Sequence, residues 1–163
     1  MTKNPHPITV PDGRPTWHRA LNALEPAELS AEIEPLTNGW QITLRALPQS
    51  GLAMLKIRES ACAEPFYLGE TPLSTAWLTI RTPDGLEAEG AAQVMTDNLE
   101  QARTMAICDA ILSARLPGHE LVSTLVGQGW QRCQAADQKR KAMLTATRVD
   151  FSLLDDVGES HED

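Results

Sequence analysis

The chain has 163 residues, 42% of them hydrophobic and 22% charged, with a formal net charge of −8. That length suits one domain with a core of useful size, and no apolar run approaches the roughly 20 residues of a membrane-spanning helix. The acidic balance argues against nucleic-acid binding through a basic surface, so neither a membrane nor a nucleic acid is expected as a partner.

The charge is unevenly placed. Asp155, Asp156, Glu159, Glu162 and Asp163 close the chain with no Lys or Arg among them, and the remainder holds 17 acidic and 14 basic residues. Residues 154–163 therefore read as a solvated, disordered acidic tail. Residues 1–13, with Pro5, Pro7 and Pro11 and no apolar stretch, read as a disordered leader and not as a signal peptide. Between them, residues 14–153 form the expected single domain. Cys62, Cys108 and Cys133 are widely spaced and make no C-x-x-C pair, which points away from disulfides and zinc and toward a reducing cytoplasm.

In chain order, Trp17, Leu21 and Leu24 fall at i, i+4 and i+7, one face of a helix, and Pro26 suits the first turn of a second helix carrying Leu29 and Ile33. Asn38-Gly39 ends this pair. The period then becomes two: Trp40, Ile42, Leu44 and Ala46 alternate with polar residues, as in a strand with one wet face. A turn is expected at Pro48-Gln49-Ser50-Gly51, followed by a return strand with Ala53, Leu55 and Ile57 inward. A third strand over 73–81 and a fourth over 86–94 flank the turn Thr82-Pro83-Asp84-Gly85. The expected sheet is antiparallel with about four strands.

Beyond Met95 the period is helical again. Asp97 and Glu100 have the spacing of a capping box. Ala102, Met105, Ala106, Asp109 and Ala110 repeat at three and four, and Pro117-Gly118 closes the helix. Gly127-Gln128-Gly129 is expected to separate a short helix, 121–126, from a last one over 130–148. Strands grouped together with helices on one side give an α+β fold, an N-terminal helical pair and a long C-terminal helix completing it.

No phosphate-binding glycine loop is present, and Gly127-Gln128-Gly129 lacks the third glycine of a dinucleotide fingerprint. His6, His18, His119 and His161 do not cluster and read as surface residues. Asp109 is the informative acid: it sits among Ala106, Ala110 and Ile111, where a carboxylate must be paired. It is read as a structural link to a loop or helix, with contact to substrate or a partner as the alternative. The last helix holds Arg132, Lys139, Arg140, Lys141 and Arg148 against one acid, Asp137, and has a thin apolar stripe through Trp130. Such a helix buries little against its own domain. With the alternating segment Arg148-Val149-Asp150-Phe151 it forms the candidate partner interface, Trp130, Arg140, Lys141, Arg148, Asp150 and Phe151, with a plainly solvated helix or direct contact to phosphate as the alternatives. No catalytic, substrate-binding or metal-ligating residue is assigned.

Several stretches, in order, carry a resemblance to a known family. They are Pro26-Ala27-Glu28-Leu29, Phe66-Tyr67-Leu68-Gly69-Glu70, Asp84-Gly85 with Gly90, Ala102…Ala106…Asp109-Ala110, and Arg148-Val149-Asp150-Phe151. Together they resemble PhnG, a subunit of the bacterial carbon–phosphorus lyase core complex, over about residues 14–151. The chain departs from the family's pattern at Thr75 and Arg103, where relatives often carry a charged residue and a Glu. The resemblance implies an accessory subunit in a cytoplasmic complex with PhnH-, PhnI- and PhnJ-like chains. With PhnH, PhnI and PhnL, such a subunit serves transfer of ribose triphosphate from ATP to an alkylphosphonate. ATP and alkylphosphonate would then be ligands of the complex, with no cofactor bound by this chain alone. Alone, such a subunit is expected to form a homodimer or to expose an apolar patch, because surfaces meant for partners stay uncovered. A small anion-binding module or a homodimeric interaction protein without catalysis is the alternative.

Overall fold

The computed structural model describes residues 13–147. Apart from Gly13, the expected leader lies outside them, as do the acidic tail and Arg148, Asp150 and Phe151. The chain falls into two compact units, residues 1–133 and 134–163.

The first unit holds helices α1 (Arg14–Leu21) and α2 (Pro26–Leu36), strands β1 (Gln41–Arg58), β2 (Pro65–Arg81) and β3 (Glu87–Val94), helix α3 (Leu99–Ala114) and the first half of α4 (His119–Ala146). The strands form one antiparallel sheet in the order β1-β2-β3. This is the α+β class expected. The period-two reading holds where the sheet meets its helices: Ser74, Ala76, Leu78 and Ile80 of β2 are buried, with Ala92 and Val94 of β3 beside them. Helix α3 lies on this face and is central: residues Thr104 through Ile111 are all buried. A helix covered on most sides needs no polar stripe. Leu21, Leu24, Leu29 and Ile33 from the helical pair, with Val122, Leu125 and Val126 from α4, complete the core.

Three local expectations are corrected. The turn at 48–51 does not form, and β1 continues through it, so the sheet has three strands, two of them long, close to the about four expected. Pro48 is tolerated because β1 is an edge strand and Leu47-Pro48 bulges opposite the single residue Ala76, where no ladder N–H is required. The hairpin closes instead at 59–64. There the Glu59 N–H donates to Glu64 O at 3.2 Å, while the Glu59 carboxylate accepts from the N–H groups of Ala61 (2.8 Å) and Cys62.

The cap of α3 is Asn98, whose Oδ1 accepts from the Gln101 N–H at 3.1 Å, one residue later than the expected Asp97 box. Finally, Gly127-Gln128-Gly129 does not break the last helix, since α4 is continuous. A Cβ on Gly129 would stand 2.0 Å from Ala20 O, so this glycine lets the α1 backbone pass against α4. Its reason is packing and not chain reversal.

Of the second unit, residues 134–147 are described: the remainder of α4 and Thr147. Arg140 and Lys141 are exposed there, and Arg140 faces Asp137 at 3.9 Å one turn away. Among the described residues, no helix is long and apolar enough to cross a membrane.

Candidate functional site

Asp109 is placed by small residues. Gly90 in β3 lies so close to α3 that a Cβ there would sit 2.0 Å from Ala106 O and 2.7 Å from Ala110 N. That approach lets Asp109 Oδ2 accept the N–H of Ala91 in edge strand β3 at 3.1 Å. Its other oxygen faces helix α1: Arg14 Nε stands 3.0 Å from Oδ1 and His18 Nε2 3.5 Å. Neither N–H points squarely at Oδ1, which has no aligned donor, so Arg14 acts on this oxygen chiefly through its charge. Burial by itself would raise the Asp109 pKa. The contact with His18, the Ala91 N–H and the Arg14 charge together outweigh it and hold the carboxyl below its ordinary value.

Asp109 thus joins α3 to α1 and β3. His18 was read as a surface residue, and instead it is three-quarters buried against this carboxylate. No spacing motif could reveal the pairing, because the partner lies on a distant helix. Cys108, next to Asp109, has its thiol pushed up to about 12 by burial and is chemically quiet.

Arg14 and His18 also line a cavity of about 570 Å³ whose other walls include Leu47, Thr75, Trp77 and Gln93. On the outer sheet face, Arg45 pairs with Glu89 and Arg81 with Glu87, exposed ion pairs that contribute little.

A different kind of surface lies further along β1 and β2. Strand β3 pairs with β2 only from Ser74 to Arg81. Beyond it, 51–58 and 65–73 continue as a two-stranded arm of about 26 Å at ordinary strand rise. Leu52, Met54, Tyr67 and Leu68 on this arm are each 58–69% exposed, and Leu55 and Phe66 are also exposed. Neighbours such as Met54 and Leu55 point to opposite faces, so both sides of the arm are apolar.

The sequence candidates separate. Trp130 packs against the core under the Arg19 guanidinium, 5.6 Å from its ring centroid. Arg140 and Lys141 are exposed in the second unit, while Arg148, Asp150 and Phe151 lie outside the described residues. The arm is not foreseen in the sequence: Leu55 is expected inward there and is exposed, and Leu52, Met54, Phe66, Tyr67 and Leu68 carry no expectation of exposure.

Large exposed apolar side chains gathered on one hairpin are the kind of surface that marks a protein–protein interaction site. Residues 12–155 match the family model described as "Phosphonate metabolism protein PhnG", and the chain belongs to that family. It is 33% identical over 108 residues to the alpha-D-ribose 1-methylphosphonate 5-triphosphate synthase subunit PhnG of Rhizobium meliloti (strain 1021). The match covers 66% of this chain and 65% of that relative, just under two thirds of its length.

Proposed function

We propose that this chain is a docking subunit of the complex that transfers the ribose triphosphate of ATP to an alkylphosphonate, making the compound named for its relative, alpha-D-ribose 1-methylphosphonate 5-triphosphate. The chain supplies shape and binding surface, and partner subunits bring the reacting groups and any cofactor. The observation that carries this reading is the arm. A two-stranded hairpin is marginal in water by itself, and this one exposes large apolar side chains on both faces of a long strand pair. A long apolar edge left open invites aggregation, so a chain with such an arm is stable in the cell when another protein covers it. Membership in the PhnG family supports the same reading. PhnH-, PhnI- and PhnJ-like chains in the cytoplasm are the partners this reading names. Arg140 and Lys141 add a second, cationic contact for an acidic partner surface.

Co-expression of the tagged chain with these three partners tests the proposal. The expected result is a stoichiometric complex that forms ribose 1-methylphosphonate triphosphate from ATP and methylphosphonate, with little turnover when this chain is omitted. A monomer that ignores all three partners, or full turnover without it, would contradict the proposal.

A further inference from the structure

The cavity beside Asp109 has a composition that docking does not explain. We infer that it is a binding site for a small anion carried on a flat apolar body, such as an aryl phosphate. Its volume, about 570 Å³, lies within the range of small-molecule sites. Two chemistries meet in it. One wall is apolar and includes Trp77, 48% exposed, and Leu47, 79% exposed, an arrangement suited to a ring. The other is polar: the Arg14 guanidinium and the His18 imidazole come from successive turns of α1, so both present their heads to the same space.

Asp109 lies behind them and serves as the anchor. It meets Arg14 through Nε, and a guanidinium carries four further N–H donors suited to bidentate capture of a phosphate. The Arg14 side chain is 58% exposed, so it meets a ligand without a large desolvation cost. Thr75 and Gln93 add hydroxyl and amide groups to the rim. The buried carboxylate therefore positions the Arg14 guanidinium and the His18 imidazole and does not touch the ligand.

Isothermal titration of the full chain with phenyl phosphate, inorganic phosphate and phenol tests this. Phenyl phosphate is expected to bind at one site per chain, with each half-ligand about tenfold weaker or worse. Trp77→Ala and Arg14→Gln, both at exposed side chains, are each expected to weaken it about tenfold while leaving the circular dichroism spectrum unchanged. Arg132→Gln, which faces Glu28 away from the cavity, is expected to bind as the parent does. The inference is overturned by no saturable heat with phenyl phosphate, by parental binding in both cavity variants, or by inorganic phosphate binding as tightly as phenyl phosphate. No partner subunit enters this titration, so its failure leaves the docking proposal standing, and the reverse holds.

Discussion

One carboxylate of α3 accepts from β3 and faces two side chains of α1, so the loss of its charge is felt in three elements. Asp109→Asn keeps the shape and removes the charge, leaving Arg14 without its counter-ion. It is expected to lower stability by about 1 kcal/mol, read as a shift in urea midpoint at pH 7, because the Arg14 side chain is 58% exposed and water screens part of the loss. The pH dependence has a definite sign. The folded carboxyl is held below 3.8, so its contribution is present above that value and fades as pH falls through the lower, folded value. The parent is thus expected to lose more stability than Asp109→Asn between about pH 5 and pH 2. Parallel curves would show that the charge does no such work. That Asp109 needs a partner was legible from the apolar residues around it. Which groups answer it was not, because Arg14 and His18 reach it through tertiary packing alone.

The two glycines of α4 give a sharper contrast. A Cβ on Gly129 meets Ala20 O at 2.0 Å, whereas one on Gly127 meets nothing within 4 Å. Gly129→Ala is expected to cost about 1–3 kcal/mol through overpacking. Gly127→Ala is expected to add about 0.5–1 kcal/mol by removing a flexible residue from a helix interior. Thermal unfolding of both variants checks the pair, and equal effects would deny the close α1–α4 approach. The sequence reading took both glycines as a helix break; one glycine tolerated inside a helix and one required by a neighbour look alike in sequence.

At the scale of elements, α3 was legible because its three-and-four periodicity is strong, and so were the β2–β3 hairpin and its Asp84-Gly85 turn. The course of β1 was not. A proline followed by a glycine resembles a turn, but a bulge on an edge strand meets the same backbone needs. That one difference turns an expected compact meander into a projecting arm. Its apolar residues make few contacts that a substitution can break, so Leu52→Ser with Leu68→Ser is expected to change stability by less than about 0.5 kcal/mol. The same double variant is expected to lose most co-purification with partner subunits. Arg140→Ala with Lys141→Ala is expected to weaken assembly less and mainly at raised salt, as exposed charges do. Unchanged complex yield in the arm variant would remove the arm from the interface.

For the whole molecule, a well-packed centre of α3, the sheet and the helical pair carries an arm that the centre does not cover. The first part explains why the chain folds, and the second why folding alone leaves it unfinished. The central claim is that the arm is covered in the assembled complex. Hydrogen–deuterium exchange at 51–58 and 65–73 measures this most directly, comparing the isolated chain with the complex purified with its partner subunits. Fast exchange in the isolated chain and strong slowing on assembly, confined largely to these two segments, are expected. A complex that forms and leaves their exchange unchanged would contradict it.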